Sequence, residues 1–565
     1  MSVRIANRRI RLLLALFAAA FAVMFLRAAW LQGVKAQSLG TLAASQHRET
    51  VTLPARRGTI YDRTGVQLAL GEQATTVFAD PMQIRNPRSV ALAAAGDLGL
   101  DSAKLYPLIA DRSRGFVYVE RKADPARAAR LAKRGLAGLG FYPEERRLYP
   151  QHTIAAQVLG YAGTDDRGLA GLELGLDHQL AGRAGRETIV KDALGHAIDT
   201  VSSQAARDGN DVYLTLDHTI QSNAESVLRA TVEQWHAKAA TAIVLDPRTG
   251  AILAMANAPG FDANAYPRVP RALQRNRTVT DTYEPGSTFK LVTVAAALSE
   301  GLVSPSTRFT LPYSIHVADR VIHDAEPRGT QTMTVVRILA QSSNVGAITL
   351  AELLGKHRLM SWIARFGFGR RTGINFPGES GGIVLPADRW SGSTIGNVPI
   401  GQGIAVTPVQ MASAYAAIAN RGLWLRPHLV ARVGERRTTV EPRRIVSTRI
   451  ARQLVAMLRN VVLEGTGTLA AIPGYHVAGK TGTAAKPDPH GGYSDSRYVA
   501  SFVGLVPASA PRLVVLVTVD EPRGAIWGGV VAAPAFQQIA RFDLQYLEVP
   551  PDAPSAVASG TSWRP

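Results

Sequence analysis

The first strong signal in the pattern of apolar and polar positions is an unbroken apolar run from Leu12 to Leu26, preceded by Arg4, Arg8, Arg9 and Arg11. Arg27 interrupts it, and Ala28 to Leu31 extend it to about the 20 residues that cross a bilayer as a helix. Arg27 can snorkel to the headgroups, and Trp30 falls where an interfacial aromatic belongs. The basic flank places residues 1–11 in the cytoplasm, 12–31 in the membrane and the rest outside. A cleaved signal peptide has the same charge order, but a shorter apolar core and a clean small-x-small site, which is lacking here.

Beyond the anchor the pattern is mixed and broken by glycines. Strand-like pieces at Thr75–Asp80 and Phe116–Glu120 and an alanine-arginine helix near Pro125–Lys133 suggest a separate extracytoplasmic module over 32–205. A new regime starts near 206. Val212–Leu216 reads as a strand and Asp217–Gln234 as a helix. Thr241–Leu245 and Ala251–Ala256 read as a hairpin around the turn Asp246-Pro-Arg-Thr-Gly250. Helical periodicity then dominates to about Gly465, and strands return at His476–Ala484, Ser501–Val506 and Arg512–Val519. Helices between an opening strand pair and a closing trio predict an α+β fold, one antiparallel sheet carrying helices, over 206–547. Residues 548–565, rich in proline, serine and alanine, read as a disordered tail.

Composition changes this picture in two places. Cysteine is absent, which excludes disulfides, thiolate metal sites and a cysteine nucleophile. The formal charge of +19 invites nucleic acid as a partner, but the basic residues are spread along the chain and no nucleic-acid module is recognisable. More telling, only 10 of the 63 cationic residues are lysines. Where chemistry needs an amine that can lose its proton, arginine cannot serve, so the few lysines are the candidates.

One of them, Lys290, lies three residues after Ser287 at the start of an apolar helix, one turn away on the same face. Its amine can then reach the serine hydroxyl, which is a poor nucleophile until a base takes its proton. Desolvation and the positive helix end would lower the lysine's pKa enough for that task. A lone Ser-x-x-Lys carries little weight, since about 0.5 such pairs are expected by chance in this composition. Two further elements follow in order: Ser342-Ser343-Asn344, about 55 residues on, and Lys480-Thr481-Gly482-Thr483 in a predicted strand. Each pattern occurs once in the chain. The order is that of the penicillin-recognising serine enzymes.

On these motifs the chain resembles the class B penicillin-binding proteins, the monofunctional peptidoglycan D,D-transpeptidases, over nearly its whole length. Arg57-Gly58-Thr-Ile-Tyr-Asp62-Arg-Thr-Gly65, Arg147-Leu-Tyr-Pro150 and Gly171-Leu-Glu173 resemble the family's pedestal motifs. Gly401-Gln-Gly403 with Thr407-Pro408 resembles the segment closing its groove. Taken alone, the 57–65 stretch is equally readable as a turn and a cap.

The resemblance implies roles. Ser287 attacks the penultimate D-alanine carbonyl, Lys290 takes its proton, Ser342 relays a proton to the departing D-alanine, and Asn344 holds the donor peptide. The N–H groups of Ser287 and Thr483 form the oxyanion hole. Lys480 with Thr481 and Thr483 receives the substrate carboxylate, as a fixed cation that depresses the pKa of Lys290. Gly482 leaves room for a peptide added at the strand edge. No cofactor or metal is implied. The implied partners are stem peptides and lipid-linked precursors, β-lactams, and a SEDS-type glycosyltransferase with other division proteins.

The middle motif is Ser-Ser-Asn rather than Ser-Asp-Asn, and no carboxylate can be assigned to activate a deacylating water, which sets the chain apart from class A β-lactamases. Tyr283-Glu-Pro-Gly-Ser-Thr-Phe-Lys290 and Ser342-Ser-Asn-Val-Gly346 favour the septal, FtsI-type branch, with the elongation branch as the alternative. A β-lactam sensor or an inert division scaffold is the alternative outside the enzymes. A sensor would be expected to carry a cytoplasmic signalling part, and a scaffold to have lost a motif residue. His316 and His323 share a stretch read as loop.

Overall fold

A computed structural model describes residues 2–35, 48–53, 55–191, 197–488 and 490–553. The chain forms two compact units, Met1–Arg56 with Gly182–Gly209, and Arg57–Ala181 with Asn210–Pro565. The first holds the helix Ser2–Gly33, of which Asn7–Gly33 is long and apolar enough to cross a membrane. It also holds an antiparallel sheet of Arg48–Leu53, Gly185–Lys191 and Ala197–Gln204.

The expected division at 205/206 lies close to the passage between the units at 209/210, but the second unit also takes in Arg57–Ala181 from before it. A seven-stranded sheet draws strands from both sides of that boundary. Ile60–Tyr61 lies parallel to Val212–Leu214, which pairs in turn with Val430–Val433. On the other side Gln67–Ala79 pairs with Val117–Ala123 and Leu139–Leu148. Backbone pairing across 205/206 holds these residues in one body.

The site rests on a second, five-stranded sheet. In chain order its surroundings are α1 (His218–Gln234), β1 (Ala239–Asp246), β2 (Ala251–Ala258), α2 (Lys290–Ser299), α3 (Asn344–Leu354) and α4 (Pro408–Ala419). Then follow β3 (Ala478–Pro487), β4 (Tyr493–Val506), β5 (Leu513–Asp520) and α5 (Ala533–Tyr546). The order across the sheet is β2-β1-β5-β4-β3, antiparallel throughout, with β3 at an edge. Side chains alternate between its faces. Ala242, Val244, Phe502 and Val517 pack with Ile220 and Leu228 of α1 and Phe536 and Ile539 of α5. Ile243, Leu245, Val503 and Leu516 pack with Leu291 and Val294 of α2 and Tyr415 of α4. A sheet covered on both faces has nearly continuous apolar strands, which is why the sequence announced them so clearly.

α1 begins at Asp217, whose carboxylate accepts from the N–H groups of Thr219 at 3.0 Å and Ile220 at 3.3 Å. α4 begins with a capping box between Thr407 and Gln410. On α5, Asp543 is fully buried, and neither of its side-chain oxygens has a partner among the described residues. Burial, and then the nearby charge of Asp217, push its carboxyl well above the usual range.

Two expectations are corrected. Helices dominate after α2, but the stretch read as loop forms short antiparallel pairs: Arg308–Leu311 pairs with Gln331–Thr334, and Ser314–Val317 with Arg320–His323. His316 and His323 thus lie on a hairpin. Its strands of four residues are too short to show a period. The tail does not loosen at 548. Val549 is buried and accepts from the Tyr475 hydroxyl, and the Asp552 carboxylate accepts from the N–H groups of His476 at 2.7 Å and Ser509 at 3.2 Å. The rest of the predicted tail, from 554, lies outside the described residues.

Candidate active site

Ser287 sits in a 3₁₀ turn, Gly286–Phe289, that runs directly into α2. The turn is pinned from three sides. Gly286 has φ 54°, and a Cβ there would lie 2.7 Å from the Thr483 carbonyl oxygen. Its N–H donates to the Gly401 carbonyl at 3.1 Å. A Cβ on Gly401 would come within 2.1 Å of the Gly286 carbonyl oxygen. Beneath the turn, the Tyr415 hydroxyl donates to Thr288 O at 2.7 Å. Backbone contact alone therefore brings the serine turn, β3 and the Gly401–Gly403 loop together, and leaves Ser287 partly exposed.

Lys290 and Lys480 are both buried, at 1% and 0% exposure. They converge on one hydroxyl: Ser342 Oγ accepts from Lys290 Nζ at 3.2 Å and from Lys480 Nζ at 2.9 Å. Lys290 also donates to Asn344 Oδ1 at 2.7 Å and to the Ser342 carbonyl. Here the structure departs from expectation. Among the described residues Lys290 makes no hydrogen bond with Ser287, because an ammonium has three donors and three acceptors around Ser342 and Asn344 occupy them. Ser342 itself has φ 58°, a left-handed backbone that costs a non-glycine residue of order 1 kcal/mol and is typical of functional sites.

Burial lowers the Lys290 amine to about 7, with the negative charge of Asp324 acting the other way. Burial, and then the charge of Lys290, hold Lys480 well below its usual value too. Its Nζ donates to Ser342 Oγ, Thr481 O and Thr481 Oγ1, none of them charged, whereas Lys290 has Asp324.

On β3, Thr481 Oγ1 lies 2.6 Å from Thr466 Oγ1, and Thr483 Oγ1 accepts from the Gly528 N–H at 3.0 Å. Gly482 does not keep space for a ligand. A Cβ there would lie 2.4 Å from Ser501 Oγ and 2.9 Å from Pro285 O, so the chain itself fills that space. Asn344 opens α3, and its Nδ2 donates to His323 O at 2.9 Å.

Sequence reading missed Asp324, which accepts from the Asn344 N–H at 2.5 Å, as well as Thr466, whose hydroxyl meets that of Thr481. It also missed Glu284, which accepts from the Gly403 N–H at 3.0 Å and the Tyr493 hydroxyl at 3.2 Å. Glu284 directly precedes the serine turn and could have been found from that position. Nothing in the sequence marks the other two.

Among the described residues Arg57, Gly58, Asp62 and Gly65 form no hydrogen bond or ion pair with Ser287, Lys290 or Lys480; they build a tie elsewhere in the same unit. Arg57 pairs with Glu173 at 2.6 Å and Asp177 at 2.7 Å, and Arg147 pairs with Glu173 at 2.7 Å. Three predicted pedestal motifs thus meet in one buried ion network. A Cβ on Gly58 would lie 2.1 Å from Asn210 O, and Gly65 turns at φ 92°. Asp62 accepts from the N–H groups of Thr64 and Val66 and pairs with His218 Nδ1 at 2.7 Å, which makes it a turn-and-cap residue.

Comparison with known proteins agrees with this architecture. Residues 240–541 match the family model of the penicillin binding protein transpeptidase domain, and 52–214 that of the penicillin-binding protein dimerisation domain. The chain is 34% identical to the probable peptidoglycan D,D-transpeptidase PenA of Neisseria meningitidis, covering 98% of this chain and 95% of that protein. It is 33% identical to the peptidoglycan D,D-transpeptidase FtsI of Escherichia coli, covering 94% and 91%. Among solved structures, penicillin binding protein 3 of Mycobacterium tuberculosis complexed with aztreonam superposes with a TM-score of 0.70 at 33% identity, covering 89% of this chain and 99% of that one.

Proposed function

Because the chain belongs to the penicillin-binding protein transpeptidase family, we propose that it cross-links peptidoglycan stem peptides through an acyl-enzyme on Ser287, in septal wall synthesis. The observation that carries this is the Ser342 hydroxyl held between Lys290 and Lys480 at 3.2 and 2.9 Å, beside the serine turn.

In this reading an extended stem peptide adds to the edge of β3. Its terminal carboxylate meets Lys480 and the hydroxyls of Thr481 and Thr483, with Thr466 behind them. That carboxylate supplies the counter-charge Lys480 lacks, so Lys480 takes the proton and like-charge repulsion drives one off Lys290. The neutral Lys290 amine then accepts the Ser287 proton as Oγ attacks the penultimate D-alanine carbonyl. The N–H groups of Ser287 and Thr483 receive the oxyanion. The peptide C–N bond breaks, and D-alanine leaves with a proton relayed through Ser342 from the lysines. An acceptor amine next attacks the ester, loses its proton to the same relay and restores Ser287. Asn344 positions the donor through its second Nδ2 hydrogen. A β-lactam acylates the same serine by ring opening.

In this reading the catalytic body lies outside the cytoplasmic membrane, where lipid-linked precursors become substrates after polymerisation. A SEDS-type glycosyltransferase and other division proteins are the proposed membrane partners. Residues 57–65, 147–150 and 171–173 act as the pedestal's tie.

Fluorescent penicillin tests the mechanism. Wild-type protein should label and Ser287→Ala should not; an unlabelled wild type or a labelled Ser287→Ala would overturn it. Depletion in cells tests the role, with filamentation expected for septal synthesis and rounding for elongation.

A further inference from the structure

We propose that Asp324, held by Arg328, is the positioning residue that sets the Ser342–Asn344 segment, and through it Lys290, for acyl transfer. The inference rests on reading Lys290 as the base.

Asp324 follows the hairpin strand Arg320–His323, yet its carboxylate, at 6% exposure, sits on the N-terminus of α3. One oxygen accepts from the N–H groups of Asn344 at 2.5 Å and Val345 at 3.0 Å. The Ser343 hydroxyl donates to both oxygens, at 3.1 and 3.0 Å. Arg328 grips the second through Nε at 2.8 Å and Nη2 at 2.5 Å. Arg328 spends its remaining donors on the carbonyls of Leu311, Pro312 and Gly329, and the Asp324 N–H donates to Tyr313 O at 3.0 Å. The anchor is therefore rigid on its own side.

Helix capping alone does not account for this. α3 already has its cap, because Ser343 Oγ accepts from the Gly346 N–H at 3.0 Å. What Asp324 adds is a fixed frame from another element. The same hairpin takes Asn344 Nδ2 on His323 O, so both the backbone and the amide of Asn344 are set from that side, leaving Oδ1 aimed at Lys290. Ser342, in its strained backbone, directly precedes this frame and follows the helix Val335–Ala340. Held from both ends, it cannot relax away from the two amines.

Charge gives the frame a second consequence. The charged groups disposed around Lys290 are Lys480 on β3 and Asp324 with its Arg328 partner on the hairpin side. The Asp324 carboxylate favours the protonated amine, opposing burial, and Arg328 offsets part of that field. The pH at which Lys290 becomes a free base is thus set partly at Asp324.

The test measures Ser287 acylation by fluorescent penicillin against pH, per folded protein, in the full-length chain. Asp324→Asn keeps an oxygen for the two N–H groups and loses the charge, so its profile midpoint should move to lower pH. Arg328→Gln unmasks the carboxylate and should move the midpoint to higher pH. Asp324→Ala loses the frame as well, and its plateau should fall by about 10²-fold, the cost of a small misplacement. A merely structural role would lower the melting temperature without opposed midpoint shifts. An unmoved or raised midpoint in Asp324→Asn overturns the proposal. If that variant does not fold, an unmoved or lowered midpoint in Arg328→Gln overturns it instead. Failure of the wild type to label would count against the transpeptidase reading, not against this one.

Discussion

Two buried clusters of charge in the same unit are arranged in opposite ways. Around Glu173, which is fully buried, Arg57 and Arg147 face Glu173 and Asp177 at 2.6 to 2.7 Å. Burial by itself would lower the Arg57 guanidinium, but the two carboxylates outweigh it and hold the group above its ordinary value. Around Ser342 two amines face one another, and both are pushed down. In the first cluster opposite charges offset the cost of leaving water. In the second that cost is left standing, because a lysine can act as a base near neutral pH only if its charged form is made unfavourable. The family motifs thus include two physical kinds, one that holds the fold and one that the fold must hold.

The largest expected effect tests the second kind. Lys290→Arg keeps a cation that cannot give up its proton, so acylation of Ser287 should fall by about 10²–10⁴-fold, read as the rate of penicillin labelling. Glu173→Gln tests the first kind. It leaves Arg57 and Arg147 buried without their shared carboxylate and should cost about 3–5 kcal/mol in a denaturant titration. Lys480→Met separates the two: labelling should be lost while the melting temperature stays level or rises. A lower melting temperature would mean that Lys480 is a structural cation after all.

Smaller effects sharpen the contrast. The labelling rate of the wild type should rise with pH through about 7 as Lys290 loses its proton. Asp543 offers a third case, a buried carboxyl that has, among the described residues, neither a counter-ion nor a hydrogen-bond partner. Its folded-state pKa is raised above the ordinary 3.8, so folding takes up a proton and stability falls as pH rises above that value. Asp543→Asn removes the penalty. Its gain in unfolding free energy over the wild type, read by denaturant titration, should grow with pH, up to about 1.4 kcal/mol per unit within the window between the unfolded and folded values. A gain that does not change with pH would show that Asp543 is ionised in the fold.

The anchor, the sheet and Ser287, Lys290, Ser342 and Lys480 were legible in the chain because each depends on local order. Apolar runs and alternation report burial at neighbouring positions, and a one-turn spacing places Lys290 on the serine's face. The short hairpins at 308–334 were not legible, since a four-residue strand is stabilised by its partner rather than by its own pattern. Asp324 was hidden for the same reason. Its role comes from a contact with Asn344, 20 positions away in sequence, and an isolated aspartate after a histidine looks like any loop residue.

By itself, then, the sequence determined which motif residues the chain carries and the order in which they come. Tertiary structure decided which of them touch. It placed Ser342 between the two lysines, turned Lys290 toward Ser342 and Asn344 instead of Ser287, and filled the space beside Gly482 with Pro285 and Ser501. Protonation belongs to that second class as well. A lysine in a motif has only its ordinary pKa, and the downward shift at Lys290 arises from burial, against the opposing charge of Asp324 brought close by a distant part of the chain.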